Sequence, residues 1–199
     1  MAPTLTIAWF PPTEYFALLA KYSSVYVEAC ENYQKRAYRN RCRIYAADGV
    51  QMLHFPVRHR DGRFNLPIRE IEVDYSTPWV EKAERCIETA YRSSAYFEYY
   101  RDELFAILDA QPRTLWELDM EVIGFFLRKI GLRTELVPTE YFAAEHVAIH
   151  PKRANGILQE LRADRPYYQV FAERHGFIPN LSVMDLLFNE GPASIEYLL

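Results

Sequence analysis

Basic side chains are concentrated in the short segment 33–43, which contains Lys35, Arg36, Arg39, Arg41 and Arg43. The remainder of the chain is acidic, because the formal net charge of all 199 residues is −4. A local positive charge in an acidic protein indicates a small anionic ligand more than a generally basic surface. A row of arginines that merely pair with surface carboxylates is the alternative interpretation.

Four polar or aromatic residues are interleaved with these cations and complete the candidate site: Tyr33, Gln34, Tyr38 and Asn40. Tyrosines mixed with arginines also occur in proteins that bind nucleic acid. Such domains usually spread basic charge over a whole face, whereas this run is short. We therefore predict a small anionic substrate and no nucleic-acid partner.

A second distinctive segment lies near the end of the chain, at residues 180–192. Ser182 and Asp185 have the spacing of a capping box ahead of a short apolar helix that ends near Asn189. Asp185 can thus be only a helix cap, or it can be a buried carboxylate that meets the arginines of segment 33–43.

Common catalytic fingerprints are absent from the sequence, which has no GxGxxG, GxxxxGK[ST] or GxSxG motif. Cys30, Cys42 and Cys86 lack CxxC spacing, so neither a disulfide framework nor a zinc cage is indicated. His146 and His150 can share a helix face, but Val147 stands where a metalloprotease motif has glutamate. We predict no metal site, and the sequence identifies no cofactor. Spacing alone does not fix the geometry of the other candidate histidines, His54 and His59.

The elements that must position these residues begin with an apolar run at 4–10 and a second at 24–29, with a helix between them. Pro11 and Pro12 end the first run, and Thr13 is the predicted N-cap of the helix. This order is typical of a βαβ unit with parallel strands. Segment 33–43 then lies at the carboxyl edge of the sheet, where open α/β sheets bind ligands, and the helix directs free N–H groups to that edge.

The remaining pattern predicts a hairpin, a polar loop and several helices. Strands at 39–45 and 50–57 are joined by a turn at Asp48 and Gly49, and Arg39, Arg41 and Arg43 would share one face of the first strand. Residues 58–67 are predicted to be a loop. One helix starts after Pro78, another has a capping box at Thr114 and Glu117 and ends at Gly131, and residues 132–137 return to the sheet.

These elements predict an α/β fold: an N-terminal βαβ unit and a β-hairpin form a mixed sheet, packed with a largely helical C-terminal half. We interpret residues 1–199 as one domain. No signal peptide and no run of ~20 apolar residues is visible, so we expect a cytoplasmic protein without membrane insertion.

Both distinctive segments resemble the WbqC-like family of bacterial proteins. The resemblance rests on four stretches of the sequence. The first two are an early strand and Tyr-Phe helix at 7–19 and the Tyr-Gln-Lys…Tyr-Arg-Asn-Arg-Cys segment at 33–42. The other two are a helix at 79–100 that begins with tryptophan and ends in Tyr-Phe-Glu-Tyr-Tyr, and the closing Gln-Val-Phe…Asn-Glu-Gly-Pro segment at 169–192. Many relatives carry a histidine where this chain has Ala83 and an arginine where it has His146, so its substrate or activity can differ from theirs.

The resemblance implies a role in the biosynthesis of O-antigen or other surface polysaccharides. Our hypothesis is a cytoplasmic transferase that acts on a nucleotide-linked or phosphorylated sugar. In this hypothesis Arg39 and Arg41 bind the phosphates, and Lys35 neutralises the charge of the leaving group. Tyr33 and Tyr38 stack on the nucleobase or the sugar. Asp185 acts as a general base or orients the substrate. Gln34, Asn40 and Asn189 complete the binding residues.

Two alternatives remain open. The chain can be a non-catalytic partner of a biosynthetic enzyme, with an exposed apolar patch and no ligand-sized pocket near Arg41. The possible protein partners are such an enzyme or a second copy of the chain, in a homo-oligomer. The two distinctive segments can also bind each other as a buried polar network, in which Arg41 has a purely structural role.

Overall fold

A three-stranded parallel sheet lies at the centre of the N-terminal half, in a computed structural model that describes residues 2–58, 66–147, 149, 160–161 and 164–199. Its strands are β1 (Thr4–Thr6), β2 (Ser24–Glu28) and β5 (Glu135–Pro138), in the order β1-β2-β5. Helix α1 (Thr13–Leu19) connects β1 to β2, and Leu5 pairs with Val27. The predicted βαβ unit and the return of the chain near residue 135 are confirmed.

The hairpin consists of β3 (Arg41–Ala46) and β4 (Gly49–His54), which pair antiparallel. The predicted α/β class is confirmed, but the hairpin is a separate two-stranded sheet and does not extend the parallel sheet into one mixed sheet. A 3₁₀ turn over Tyr38–Asn40 precedes β3 and turns the chain away from β2. Arg39 lies in that turn, so only Arg41 and Arg43 share a strand face.

Most of the regular elements described after the hairpin are helices: α2 (Trp79–Tyr91), α3 (Phe97–Asp109), α4 (Leu115–Ile130), α5 (Ala172–His175) and α6 (Val183–Glu190). The predicted capping box of α4 is present, since Thr114 and Glu117 bind each other's backbone N–H groups. Gly131 ends α4 with a φ of 87°, a left-handed conformation that glycine adopts without strain. None of the helices in the described part of the chain is long and apolar enough to span a bilayer.

Helix α1 begins one residue earlier than a Thr13 cap implies, because Pro12 is its N-cap and Thr13 its first helical residue. Its free N–H groups are used inside the protein: Thr13 donates to the Leu181 carbonyl at 2.9 Å and Glu14 to Oδ1 of Asn180 at 3.1 Å. The prediction that this helix end binds an anionic ligand is therefore wrong.

Aromatic rings join the end of β1 to the hairpin and to α2. Trp9, which follows β1, lies 5.0 Å from Phe55 and 6.1 Å from Trp79, measured between ring centroids. The backbone N–H of Trp9 also donates to the carbonyl of Tyr38 at 2.9 Å. These contacts hold the basic segment against the carboxyl edge of the parallel sheet, as the order of the elements predicted.

Candidate functional site

The strand register of the hairpin places Arg41 directly opposite His54. Their side chains therefore project from the same face. Asn40 holds this end of the hairpin closed, because its carbonyl accepts from the N–H of Phe55 at 3.1 Å and its amide donates to the Phe55 carbonyl at 2.7 Å.

A cleft of about 330 Å³ opens beside this pair. We call it the first cleft; its lining residues are Tyr33, Lys35, Arg36, Asn40, Arg41, His54, Phe55, Pro56 and Val57. Its size is at the lower end of the range for ligand pockets, and no acidic side chain is among these lining residues.

Positive charge dominates the first cleft. Lys35, Arg36 and Arg41 carry it. Nε of Arg41 is buried and has no hydrogen-bond partner among the described residues. A buried guanidinium N–H without an acceptor is costly, so a bound anion would supply what this group lacks.

The backbone of Arg36 supports a ligand-binding role for this loop. Its φ is 65°, in the left-handed region that residues other than glycine, asparagine and aspartate rarely adopt. Such strain costs on the order of 1–3 kcal/mol and tends to occur at binding sites, where the surrounding structure holds it. Here it turns the chain between Tyr33 and Tyr38.

The arginines at positions 39, 41 and 43 have three different environments. Arg39 is 4% exposed and forms a two-pronged ion pair with Glu31, with Nε 2.8 Å from Oε1. The Arg43 side chain hydrogen-bonds to the hydroxyl of Tyr38. Of these three, only Arg41 lines the first cleft, where Arg36 is also a lining residue.

Among the other predicted binding residues, Tyr33 and Asn40 line the first cleft with Lys35, and Gln34 is exposed nearby in the chain. Burial raises the pKa of Tyr33, although the charges of Arg41 and Arg39 oppose the shift. Tyr33 is therefore a neutral phenol. Tyr38 is buried with its hydroxyl bound by Arg43, so stacking on a ligand would require it to move.

Asp185 and Asn189 lie on α6, and neither is a lining residue of the first cleft. The carboxylate of Asp185 is 1% exposed and accepts from the hydroxyl of Tyr167 at 2.7 Å and from the amide of Gln169 at 2.9 Å. Asn189 donates to the Asp185 carbonyl at 2.8 Å. The expected capping box is not formed, since the Ser182 side chain accepts from the N–H of Met184 while the Asp185 carboxylate turns inward.

The two distinctive segments do meet, but through the backbone. The N–H of Ser182 donates to the carbonyl of Arg43 at 2.8 Å. The contacts of the Asp185 carboxylate are with Tyr167, Gln169 and Tyr91, whereas Arg39 pairs with Glu31 and Arg41 lines the first cleft.

His54 is the site residue that sequence reasoning did not place. The signal was present: if the turn pairs Ala46 with Gly49, counting back along both strands pairs Arg41 with His54. A hairpin fixes its register at the turn, so this partner follows from the turn alone.

Asp119 is a further carboxyl group near the site that the sequence did not single out. It lies on α4, is fully buried, and neither carboxylate oxygen has a hydrogen-bond partner among the described residues. Burial raises its pKa well above the usual range, and the nearby charge of Arg39 offsets only part of the shift. Burial without a hydrogen-bond partner thus favours the neutral form of this carboxyl group.

Within the described residues, no group of three or more His, Cys, Asp or Glu side chains is arranged to hold a metal ion. His59 and His150 lie outside the described residues, as does most of the predicted loop at 58–67. Cys30, Cys42 and Cys86 are free thiols.

Comparison with known proteins identifies the family of the chain. The chain is 28% identical to the uncharacterized protein Rv1507c of Mycobacterium tuberculosis, over 96% of this chain and 94% of that protein. No solved structure matches the chain. The model of the WbqC-like protein family matches residues 8–167, a span that includes the basic segment, the hairpin and the whole first cleft. The chain belongs to the WbqC-like protein family.

Proposed function

We propose that the chain is a cytoplasmic transferase of bacterial surface-polysaccharide biosynthesis, of the O-antigen type, that acts on a nucleotide-linked or phosphorylated sugar. The observation that carries this proposal is the first cleft, whose described lining residues include Lys35, Arg36 and Arg41 and no aspartate or glutamate. A phosphate or diphosphate group has the charge and the acceptor oxygens that this lining lacks.

The residues have distinct roles in this proposal. Arg41 binds the phosphate oxygens, because its guanidinium presents a planar fork of donors, one of which is buried without a partner among the described residues. Lys35 lies at the same cleft and stabilises the charge that develops on the leaving group. Tyr33 and Asn40 bind the sugar or base, with Gln34 as a further polar contact.

Arg39 and Asp185 take supporting roles. Arg39 with Glu31 fixes the turn that leads into β3, and so acts on the substrate through Arg41 and not by direct contact. Asp185 and Asn189 orient α6 and the segment that contacts β3. Direct participation of Asp185 as a base would require the substrate to reach a carboxylate that is 1% exposed.

A non-catalytic partner protein is the second candidate. Two adjacent aromatic side chains favour it, since Tyr141 is 82% exposed and Phe142 is 60% exposed. That alternative predicted no ligand-sized pocket near Arg41, and the first cleft counts against it. Exposed aromatic pairs of this kind are typical of protein contacts.

The test is calorimetric titration of the purified protein with nucleoside diphosphates, nucleotide sugars and sugar phosphates. We expect at least one to bind, and Arg41→Gln to weaken that binding about 10- to 100-fold, as the loss of a charge-assisted contact does. Arg41→Lys should recover part of the loss because it restores the charge but not the fork.

Arg43→Gln is the matched control, because Arg43 lies on the same face of β3 and outside the first cleft. It should leave binding unchanged. If a folded Arg41→Gln protein bound every compound as tightly as the parent, the proposal would be wrong.

A further inference from the structure

A second cleft of about 400 Å³ adjoins the first and shares two lining residues with it, His54 and Pro56. One wall is β4, and the other is the first two turns of α2. Its lining residues are Gln51, Met52, Leu53, His54, Pro56, Thr77, Trp79, Lys82, Ala83 and Cys86. Residue His54 therefore borders both clefts, and its side chain projects from the face of the hairpin that carries Arg41.

The second cleft differs from the first in chemistry. Apolar side chains form most of its lining, and Trp79 is held rigidly because its ring packs against Phe55 and Tyr75 at 5.2 and 5.6 Å. Polar groups stand at intervals among them: the hydroxyl of Thr77, the ammonium of Lys82 and the amide of Gln51. Gln51 donates to Sγ of Cys86 at 3.6 Å, a contact that links the two walls.

This combination suits a sugar ring better than a phosphate. The C–H faces of a sugar are apolar and pack on aliphatic and aromatic walls, while its hydroxyl groups bind separate donors and acceptors at the edge. The first cleft, with its concentrated positive charge, suits the phosphate portion of a substrate. Two adjoining clefts of opposite character are what a transferase with two substrates requires.

We propose that the second cleft binds the acceptor, a neutral sugar with a free hydroxyl group, and that His54 is the catalytic base between the two substrates. This inference rests on the proposed function, because it assigns the first cleft to the phosphate-linked donor. It adds the class of the second substrate and a catalytic residue.

The transfer step follows from the position of His54. The acceptor hydroxyl oxygen forms a bond to the anomeric carbon of the donor sugar, while the bond from that carbon to the phosphate oxygen breaks. The electron pair of the broken bond leaves with the phosphate into the first cleft, where Arg41 and Lys35 compensate its charge. The hydroxyl proton passes to the neutral imidazole of His54 and then to solvent.

Methyl-labelled methionine provides a local probe, since Met52 lines the second cleft and Met184 is fully buried elsewhere. In methyl NMR spectra of the whole protein, methyl glucoside, methyl mannoside and methyl N-acetylglucosaminide are titrated separately from UDP. We expect at least one glycoside to shift the Met52 resonance and leave Met184 unchanged. Its dissociation constant should be the same within about twofold in Arg41→Gln.

Blocking the second cleft with a larger side chain gives an independent test of the acceptor site. In protein labelled at the histidine rings, where His54 serves as the probe in place of Met52, Met52→Trp should abolish the response of the His54 ring to the glycoside while UDP still binds as in the parent. Val50→Trp is the matched control, because Val50 lies on the same face of β4, is 42% exposed against 41% for Met52, and does not line the second cleft.

Turnover tests the role of His54. Turnover is measured with any nucleotide sugar from the panel that releases its nucleotide. His54→Gln should lower kcat about 10²- to 10⁴-fold and flatten the acidic limb of the pH profile of kcat. The affinity for UDP should change less than about threefold. An unchanged pH profile in His54→Gln would overturn the assignment of the base.

The outcomes separate the two proposals. If UDP binds in an Arg41-dependent way but no glycoside shifts Met52, and Met52→Trp turns over as the parent does, the second cleft is not an acceptor site and the proposed function stands. If neither UDP nor any other phosphate compound binds while a glycoside does shift Met52, the donor assignment fails and only the sugar site remains.

Discussion

Burial decides which charged residues of this protein can bind a ligand. Arg39 and Arg41 are two residues apart, yet Arg39 is occupied by Glu31 in the interior and Arg41 opens onto the first cleft. Breaking a buried pair leaves an uncompensated charge, so loss of Arg39 acts first on stability, on the order of 3–5 kcal/mol. A defect in an Arg39 variant would therefore say little about phosphate binding.

Asp185 provides a prediction on pH dependence. Burial raises its pKa to about 6, even though the donors Tyr167, Gln169 and Tyr91 favour the charged form. In the unfolded chain an aspartate titrates near 3.9, so the folded state holds the proton more tightly. The contribution of Asp185 to stability is then greatest below about pH 4, declines as the pH rises to about 6, and is constant above that.

Asp185→Asn should remove this decline. The free energy of unfolding of the variant, relative to the parent, should rise by about 2 kcal/mol between pH 4 and pH 7, measured by urea denaturation at each pH. Asp102→Asn is the control, because the Asp102 side chain is 88% exposed, and its difference from the parent should vary little with pH. An equally flat difference for Asp185→Asn would contradict the prediction.

The C-terminal segment 180–183 connects α1 and β3, two elements that are separate in the sequence. Asn180 and Leu181 bind the first N–H groups of α1, Val183 donates to the carbonyl of Pro11, and Ser182 donates to the carbonyl of Arg43 in β3. The segment thereby joins α1 to the strand that carries Arg41.

Asn180 is suited to this position for two separable reasons. Its side chain accepts from the N–H of Glu14, and its φ of 57° is one that asparagine tolerates. Asn180→Gly keeps the backbone conformation and loses the bond, which should cost about 1 kcal/mol of unfolding free energy. Asn180→Ala should cost roughly 1 kcal/mol more, because alanine is strained at positive φ.

Gln111 provides the comparison for this pair of variants. Its φ is 50° and its side chain is exposed, so Gln111→Gly relieves strain and should raise the unfolding free energy by up to about 1 kcal/mol. Urea denaturation measures all three variants. If Asn180→Gly were as stable as the parent, the side-chain bond to Glu14 would not contribute to stability.

A continuous core connects the whole molecule. One cluster of buried apolar side chains includes Leu5 of β1, Ile44 of β3, Phe126 of α4, Phe188 of α6 and Leu198. The prediction that residues 1–199 form one domain leads to a simple expectation, because a shared core unfolds as a unit.

Urea unfolding should therefore be a single transition, with coincident curves from tryptophan fluorescence and far-ultraviolet circular dichroism. Trp9 and Trp79 report on the region of the clefts, and Trp116→Phe would confine the fluorescence signal to them. Two separated transitions would show that the helical C-terminal half folds independently.

Local signals in the sequence were sufficient for much of the fold. The capping box at Thr114 and Glu117, the glycine at 131 and the order of strand, helix and strand at the N-terminus each depend on residues close in the chain, and each is found. The position of the basic segment at the sheet edge follows from that order. The pairing of His54 with Arg41 was also available, through the register of the hairpin.

The sequence by itself determined the α/β class, the WbqC-like family and the segment that carries the cationic residues. Only the tertiary structure decided which of those cations reach a cleft, because that depends on contacts between residues far apart in the chain. The packing of Trp79 against Phe55 sets the wall shared by the two clefts, Leu181 closes the helix end that the sequence left open to an anion, and the Tyr167 hydroxyl binds the Asp185 carboxylate. No spacing rule encodes such distant contacts, since each one exists only when the core is assembled.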